Sequence, residues 1–265
     1  MSLQGTVADD KGQARRLFEM AGGAAATGAL LHYLPSTAIL ATWLPVPPVT
    51  LGRGWCRWRG PAGKHDLAIT FDDGPSALNT PKTLDLLDEL GMKATFFLIG
   101  ELANARPDLL AEIRSRGHSV GAHGQRHEHH LWRSPQWIRH DTAQSVESLR
   151  DATGERPRWY RPPYGQLTAR TILEARRNGM ELVLWTRWGY EFKDHDTASV
   201  LARLETGMMP GAVLLLHDSD VECEPGTAAR THRLLPHLAE AIAERGLRTV
   251  TLDEMLEGAA TGDER

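Results

Sequence analysis

The stretch LAITFDDGP, residues 67–75, places two adjacent carboxylates directly after a short apolar run. Residues 67–71 predict a β-strand buried on both faces, because a short apolar and β-branched run bounded by Gly and Pro favours a strand. Asp72 and Asp73 then lie at the carboxyl end of this strand, where neighbouring side chains point in different directions. One carboxylate could bind a cation while the other stays free as a base. Taken alone, however, a segment rich in Asp, Gly and Pro is also typical of an ordinary turn.

Short apolar runs alternate with segments of helical periodicity on the carboxyl side of this stretch. Strands are predicted at residues 67–71, 94–99, 118–122, 159–161, 181–185, 212–216 and 247–250, and helices at residues 81–90, 107–116, 135–153, 167–178, 197–206, 230–245 and 252–256. The alternation predicts an α/β fold in which helices wrap parallel strands. In a closed barrel of this kind the chemistry lies at the carboxyl ends of the strands. We therefore expect the reactive residues to follow strands.

The composition of the 265-residue chain excludes several classes of protein. The 30 basic and 34 acidic residues give a formal net charge of −4, which argues against a nucleic-acid binder. The two cysteines, Cys56 and Cys223, form no CxxC pair, so a disulfide scaffold, a thiolate zinc site and an iron–sulfur cluster are not expected. Five of the 12 histidines fall within residues 118–130. Any bound metal should therefore be held by imidazole and carboxylate groups.

The histidine-rich segment follows a predicted strand. His123 and His127 are four residues apart, so in a helix both rings would lie on one face and could hold one metal ion. His127 and His130 are also one helical turn apart, so spacing alone does not decide which two histidines would hold the metal. His118 lies inside the strand and is expected to be a packed residue.

Two further segments place reactive residues after strands. In RPPYG, residues 161–165, two prolines fix the backbone beside an arginine and an aromatic ring. The apolar strand at residues 212–216 ends at His217, and a lone histidine at such a place is usually structural. All four segments nevertheless follow strands of one alternating chain, and four independent coincidences of this kind are improbable. Together they predict a single site.

These segments resemble the signature motifs of polysaccharide deacetylases of the NodB-homology group, carbohydrate esterase family four. The motifs are TFDDGP, GHSVGAHGQRH, RPPYG and LLLHD, and the resemblance covers residues 67–256. It implies an irregular (β/α) barrel of seven parallel strands and a divalent-metal amidase that removes acetyl groups from N-acetylated sugars.

The resemblance also implies the residues that bind the metal and activate water. Asp73, His123 and His127 match the family's metal triad, Asp72 matches the catalytic base, and Arg161 matches the arginine that orients the base. Two imidazoles and one carboxylate suit Zn²⁺ and leave positions open for water and substrate. The same ligands also suit Co²⁺, Ni²⁺ and Mn²⁺.

Three more residues receive roles from the resemblance. His217 matches the general acid, Tyr164 matches the residue whose backbone N–H contributes to the oxyanion hole, and Leu215 matches the leucine that lines the acetyl-methyl pocket. An acid and a base of this kind predict a bell-shaped pH–rate profile.

The fourth motif departs from the family pattern. The family usually has an Asp that positions the acid histidine, and here Trp188 occupies its place. Without a nearby carboxylate, His217 would be less readily protonated at neutral pH. Glu191 is the favoured replacement and Asp194 and Asp196 are alternatives, although Glu191 could instead be a solvated loop residue.

Aromatic residues surround this departure. Trp188 and Phe192 are assigned to substrate binding, since they and Tyr190 could stack on a sugar face, and packing is the alternative. A smaller departure is Glu128, where the family often has a proline.

The amino-terminal residues form a separate apolar segment. Residues 21–44 carry no formal charge, follow two arginines and are long enough to span a bilayer. The many Gly and Ala residues, Pro35 and an unclear cleavage signature leave a packed apolar helix as the alternative. We divide the chain into this segment and a linker (1–60), a NodB-like deacetylase domain (61–258) and a tail (259–265). Residues 17–44 are the part that would associate with a membrane.

Three functions follow from these observations. The first is deacetylation of peptidoglycan, a chitin-like polymer or another N-acetylated amino-sugar glycan or glycoside, by a membrane-anchored or extracytoplasmic enzyme. The second is an amidase or esterase of the same fold, in the cytoplasm, acting on a small N- or O-acylated metabolite. The third is a catalytically impaired carbohydrate-binding protein, which only the altered fourth motif supports.

Overall fold

A sheet of parallel strands forms the centre of the molecule. The computed structural model describes residues 56, 57, 59, 60, 65–193 and 196–260. Its strands are β1 (Asp66–Gly74), β2 (Ala94–Leu98), β3 (Ser119–Ala122), β4 (Trp159–Tyr160), β5 (Glu181–Leu182), β6 (Arg187–Trp188), β7 (Val213–His217) and β8 (Arg248–Thr249).

Helices connect most of these strands. They are α1 (Thr80–Glu89), α2 (Gly100–Ala105), α3 (Pro107–Ser115), α4 (Pro135–Thr153), α5 (Ala169–Arg177), α6 (Thr197–Glu205), α7 (Thr227–Glu244) and α8 (Leu252–Ala260), with short 3₁₀ turns at His130–Trp132 and Pro163–Gly165. The longer predicted helices match these bounds closely. The short α2 was not predicted.

The strands follow the order β5-β4-β3-β2-β1-β7-β6, and each pairs in parallel with its neighbours. These seven strands curl into a half-barrel with helices outside, so the predicted α/β class and irregular (β/α) barrel of seven parallel strands are confirmed. One of the seven strands is not the predicted one. The predicted strand at residues 247–250 is β8, which pairs only with the first residues of β1, and the two-residue β6 takes the seventh place.

β1 lies at the centre and is buried along its whole length. Leu67, Ile69 and Phe71 belong to the large apolar cluster between sheet and helices, whereas Ala68 belongs to a smaller cluster near the amino ends of the strands. This alternation places successive side chains on opposite faces of the strand. The apolar run at the start of β1 therefore fills the interior on both sides, while its carboxyl end carries the polar residues.

A short segment before β1 joins the two ends of the sheet. The N–H of Arg57 donates to the carbonyl of Leu182, and the N–H of Leu184 donates to the carbonyl of Arg57, both at 2.7 Å. Further along, the N–H of Gly60 donates to the carbonyl of Gly211 at 2.7 Å. This bridging segment, residues 56–60, thereby connects the chain leaving β5 with the chain entering β7, the neighbour of β6.

Most of the predicted N-terminal segment and linker (1–60), including residues 17–44, lies outside the described residues, as do residues 261–265 of the predicted tail (259–265). Among the helices that the structure describes, none combines the length and the apolar character needed to cross a bilayer.

Candidate active site

The carboxyl end of β1 carries the two predicted carboxylates. Regular alternation would send Asp72 and Asp73 to opposite faces of the sheet. The pairing of β1 with β2 shifts register after Phe71, and Asp73 has a φ of 69°. Such an irregularity re-aims a side chain, and both carboxylates lie near the ring of His123. A backbone conformation that is uncommon for Asp thus brings both groups into one site.

Asp73 forms a compact group with the two predicted histidine ligands. Its Oδ1 lies 3.3 Å from Nε2 of His123 and 3.2 Å from Nε2 of His127. The histidines do not lie in a helix, the arrangement in which their spacing would put both rings on one face. They are instead brought together by a turn after β3, in which Gly124 has a φ of +79°.

An acidic residue of α4 holds this turn in place. The carboxylate of Asp141 accepts hydrogen bonds from the backbone N–H groups of Gln125 and Arg126, at 3.0 and 3.1 Å. Burial raises the pKa of Asp141 to about 6. In this non-helical turn, Asp141 accepts the backbone hydrogen bonds that a helix would satisfy internally.

Asp73, His123 and His127 form a group that fits a divalent metal ion, and we call these three residues the metal-ligand group. Atoms bound tetrahedrally about 2.0 Å from one ion lie about 3.3 Å apart, which matches the distances from Asp73 Oδ1 to the two rings. Oδ1 of this buried carboxylate has no hydrogen-bond partner within the described part of the chain. Buried carboxylates rarely lack partners, and a cation would satisfy this atom.

The protonation state of His127 also suits a metal. Burial lowers the pKa of His127 to about 4, so its ring is neutral at pH 7. Burial alone would raise the pKa of Asp73, but the adjacent imidazoles of His123, His217 and His127 lower it well below its usual range. His123 Nδ1 lies 2.7 Å from the carbonyl oxygen of Arg161 and can donate to it, which leaves Nε2 free as a ligand.

Asp72 is held by a buried arginine. Its Oδ1 accepts a hydrogen bond of 2.6 Å from Nη1 of Arg161, whose side chain is 0% exposed. The guanidinium also donates to the carbonyls of Val183 and Leu184, at 3.1 and 2.9 Å, and to Oγ1 of Thr70 at 2.8 Å. Its orientation is therefore fixed by β1 and by the segment that follows β5, and Asp72 Oδ2 remains directed toward His123 at 3.8 Å.

His217 ends β7 and pairs with Glu191. Nδ1 of His217 lies 2.7 Å from Oε1 of Glu191, and Nε2 lies 3.9 Å from Oδ2 of Asp73. Burial of His217 disfavours its charged form, but the hydrogen bond and negative charge of Glu191 outweigh burial and raise the pKa of His217 to about 9. Glu191 is 0% exposed, so the interpretation of Glu191 as a solvated loop residue is wrong.

Asp196, one of the two alternative carboxylates, does not take this position. Asp196 accepts hydrogen bonds from Ser199 as the N-cap of α6, and Asp194 lies outside the described residues. The backbone around Glu191 is fixed by Arg230 of α7, whose guanidinium donates to the carbonyls of Glu191 and Phe192. Arg230 was not predicted to contribute to the site.

The predicted substrate-binding residues lie around these groups. Leu215 is buried in β7, two residues before His217 and therefore on the same face of the strand. Tyr164 has a φ of 58°, and its exposed ring stacks on His129 at 3.6 Å between centroids. The ring of Trp188 stacks on those of Tyr190 and Phe192, at 4.4 and 4.9 Å between centroids. We call these three residues the aromatic platform.

Two further side chains next to the ligand group were missed by sequence reasoning. Both come from the loop between β7 and α7: Oε2 of Glu222 lies 3.4 Å from Nδ1 of His127, and Sγ of Cys223 lies 3.4 Å from Oδ2 of Asp73. No local pattern marks either residue. Asp141 could have been noticed in the sequence, because an acidic residue on the apolar face of a helix is seldom buried without a partner for its carboxylate.

The fold and this site define a hydrolase built on an α/β barrel, with its reactive groups at the carboxyl ends of the strands. The sequence pattern of the polysaccharide deacetylase family matches residues 59–183. A peptidoglycan-N-acetylglucosamine deacetylase of Bacillus cereus is 30% identical over 198 residues, which are 75% of this chain and 70% of the relative. A chitooligosaccharide deacetylase of Bradyrhizobium is 30% identical over 205 residues, which are 73% of this chain and 92% of the relative.

A solved structure agrees with these relatives. The crystal structure of a peptidoglycan N-acetylglucosamine deacetylase in complex with a naphthyl-substituted N-oxidanyl-benzamide superposes with a TM-score of 0.73 at 28% identity, covering 83% of this chain and 100% of that chain. The chain belongs to the polysaccharide deacetylase family, the NodB-homology group of carbohydrate esterase family four. It is therefore an enzyme of the class that hydrolyses non-peptide C–N amide bonds.

Proposed function

We propose that the chain is a metal-dependent deacetylase that removes acetyl groups from the N-acetylated amino sugars of a glycan. The observation that carries this proposal is the arrangement on either side of the metal-ligand group. A carboxylate oriented by an arginine lies on one side, and an imidazole charged by a carboxylate lies on the other. A base and an acid separated in this way suit the two proton transfers of amide hydrolysis.

Asp73, His123 and His127 would hold the metal ion. When bound, a divalent cation supplies Lewis acidity that polarises the acetyl carbonyl and makes nearby water more acidic. Zn²⁺ is the ion we favour, because two neutral imidazoles and one carboxylate with an open position are typical of catalytic zinc.

Asp72 acts as the base in this proposal. Its Oδ1 is occupied by Arg161, so Oδ2 is the oxygen available to accept a proton from the attacking water. The arginine keeps the carboxylate aimed at the ligand group throughout the reaction.

His217 acts as the acid. Its Nδ1–H is held by Glu191, so the proton on Nε2 is the one that passes to the amide nitrogen as the C–N bond breaks. The products are acetate and a free amino group on the sugar. A pKa of about 9 keeps His217 charged at neutral pH, as a proton donor requires.

The remaining predicted residues would bind the acetylated sugar. We assign the backbone N–H of Tyr164 to the developing oxyanion and Leu215 to the acetyl methyl group. The aromatic platform provides a surface for a sugar ring, since one of its residues, Tyr190, is 38% exposed.

The relatives support a glycan rather than a small metabolite. Their names specify peptidoglycan N-acetylglucosamine and chitooligosaccharides as substrates, so we infer a polymer or oligomer of N-acetylglucosamine that is met outside the cytoplasm. The carbohydrate-binding alternative rested on the missing fourth-motif carboxylate, and the position of Glu191 removes that argument.

Two adjacent Asp-to-Asn variants test the proposal. Wild-type protein is expected to release acetate from N-acetylglucosamine oligomers with a bell-shaped pH profile. Asp72→Asn should lower kcat by about 10²–10⁴-fold, as expected for loss of a general base, while metal content measured by mass spectrometry stays unchanged. Asp73→Asn makes the same chemical change one residue along and should lose both metal and activity.

Two results would contradict the proposal. Metal-loaded wild-type protein that binds these oligomers without releasing acetate would favour a binding protein. Acetate release that Asp72→Asn leaves unchanged would remove Asp72 from its assigned role.

A further inference from the structure

The ring of His127 has one nitrogen that the metal-ligand group does not use. Nε2 lies 3.2 Å from Oδ1 of Asp73, so Nδ1 is the nitrogen that faces away from this group. Nδ1 is buried, and no atom of the described residues forms a hydrogen bond with it. A neutral ring that binds a metal through Nε2 carries its proton on Nδ1. Because buried polar atoms rarely lack a partner, an acceptor is required beside Nδ1.

The other histidine ligand already has such an acceptor. Nδ1 of His123 lies 2.7 Å from the carbonyl oxygen of Arg161, which directly follows β4. Histidines that bind metals commonly donate their second N–H to a carbonyl or a carboxylate, and this fixes both the tautomer and the plane of the ring. The backbone thus holds His123, whereas no backbone carbonyl among the described residues holds His127.

Glu222 is the acidic side chain that reaches the unused nitrogen of His127. Its Oε2 lies 3.4 Å from Nδ1 of His127. This separation is a few tenths of an ångström longer than a usual N–H···O hydrogen bond. The side chain of Glu222 is 35% exposed, so it has room for the small rotation that shortens the contact.

The loop that carries Glu222 is anchored on both sides of this residue. The loop comprises residues 218–226, between β7 and α7. Oγ of Ser219 accepts a hydrogen bond from the N–H of Val221 at 3.0 Å, and the carboxylate of Asp220 accepts from the N–H groups of Gly226 and Ala228 at 3.0 and 2.8 Å. The backbone of the loop is therefore held while the side chain of Glu222 extends to His127.

We propose that Glu222 is a positioning residue that accepts the Nδ1–H of His127 and so orients this histidine as a metal ligand. The inference rests on the proposed function, because it assumes the same metal. A carboxylate acceptor keeps the proton on Nδ1, leaves the lone pair of Nε2 directed toward the metal and makes Nε2 a stronger donor.

The two histidine ligands are then supported from different parts of the chain. The segment after β4 supports His123, and the loop after β7 supports His127. That loop begins directly after His217, the proposed acid. One segment would therefore supply the proton donor and also determine how firmly the metal is held.

Metal affinity tests the proposal in full-length protein. Glu222→Ala should bind Zn²⁺ about 10–100-fold more weakly in competition with a chelator, as expected for loss of a carboxylate behind a metal-binding histidine. Glu222→Gln retains an acceptor oxygen and should recover most of this affinity. Glu224→Ala is the matched control, since Glu224 is exposed on the same loop, and it should bind Zn²⁺ like wild-type protein. The metal-free variants should melt at the wild-type temperature.

Proton NMR of the zinc-loaded protein provides a second measurement. A hydrogen bond to Glu222 should slow exchange of the Nδ1 proton of His127 and give a downfield imidazole N–H resonance. This resonance should be lost or displaced in Glu222→Ala and unchanged in Glu224→Ala.

The outcomes separate this inference from the proposed function. Equal Zn²⁺ affinity in Glu222→Ala and Glu224→Ala, or an Nδ1 resonance that Glu222→Ala leaves in place, overturns the role of Glu222 alone. Failure of wild-type protein to bind any divalent ion overturns the metal site and the role of Glu222 together.

Discussion

Glu191 reaches His217 from a backbone position different from that of the family's usual Asp. Trp188 occupies the expected place and pairs with Leu215 across β6 and β7, so its ring contributes to the aromatic platform instead. The chain then turns through Tyr190, which has a φ of 59°, and this turn brings Glu191 under the imidazole. The role of the carboxylate depends on its charge and distance rather than on its place in a motif.

Replacement of Glu191 by Gln should lower the pKa of His217. The variant keeps a hydrogen-bond acceptor but loses the charge that raises this pKa from 6.5 to about 9. Because the acid works only when protonated, activity on the alkaline side is lost as the pH rises through its pKa. The alkaline limb of the kcat/KM profile should therefore move to lower pH, with activity at pH 8 reduced roughly tenfold or more.

Glu240→Gln provides the matched control for this measurement, since Glu240 is exposed on α7. Its profile should coincide with that of wild-type protein. An alkaline limb that stays in place in Glu191→Gln would show that another group charges His217.

At the level of elements, the turn after β3 determines the geometry of the metal-ligand group. Gly124 separates His123 from the two N–H groups that Asp141 holds. A Cβ on Gly124 would lie 2.9 Å from the carbonyl oxygen of Arg126 and 3.2 Å from Oδ2 of Asp141. The turn therefore needs glycine both for its positive φ and for the close approach.

Gly124→Ala should weaken metal binding about tenfold or more, because the strained turn would displace a histidine ligand by part of an ångström. A left-handed alanine alone costs about 1–2 kcal/mol. Gly179→Ala has a similar φ of +74° with nothing within 4 Å of its Cβ. Both variants should melt a few degrees lower, but calorimetric titration should show weaker metal binding only in Gly124→Ala.

Equal metal affinities in these two variants would exclude a positioning role for the turn. If both affinities fell equally, general destabilisation would account for the loss.

The strands and helices could be predicted where residues close together in sequence form the pattern that defines them. The buried strands and the long helix α4 follow from apolar runs, periodicity and caps, and Ser134 and Gly154 mark the ends of α4. β6 was missed because two residues in an aromatic, charged segment form a strand only by pairing with β7. The spacing of His123 and His127 would suit a helix but did not establish one, and the turn that holds them could not be predicted because Asp141, which shapes it, comes later in the chain.

The site was predictable to a similar degree. The residues carried by family motifs lie together as expected, although their roles remain predictions. Contacts made by Glu222, Cys223 and Arg230 depend on how a loop and a helix face meet the barrel, and neither spacing nor residue type indicates such contacts.

At the level of the whole molecule, the bridging segment connects the two ends of the curled sheet. It contacts the stretch from Leu182 to Leu184, whose carbonyls also orient Arg161. The predicted boundary at residue 61 stays a prediction, and these contacts favour an earlier start of the folded domain. Stability and the position of Asp72, the proposed base, are thus coupled through one backbone stretch.

A chain shortened to residues 61–265 should be less stable than one comprising residues 52–265. Loss of three backbone hydrogen bonds costs about 3 kcal/mol at about 1 kcal/mol each, which corresponds to about 5–10 °C in Tm. Activity per folded molecule should also fall, because Arg161 loses part of its support. Scanning calorimetry and acetate release check the two effects, and identical melting of both chains would contradict the role given to the bridging segment.

The bridging segment also constrains the order of events during synthesis. Arg57 meets Glu181 across 124 positions of sequence, and Arg59 meets Pro210 across 151. At usual rates of translation the amino-terminal partner emerges about 10–30 s before the second contact can form. During that interval both ends of the growing sheet present unpaired strand edges, which are the surfaces that invite aggregation and chaperone binding. The carbonyls of Val183 and Leu184 that orient Arg161 are made at the same stage of synthesis, so Arg161 cannot take its final position before that stage.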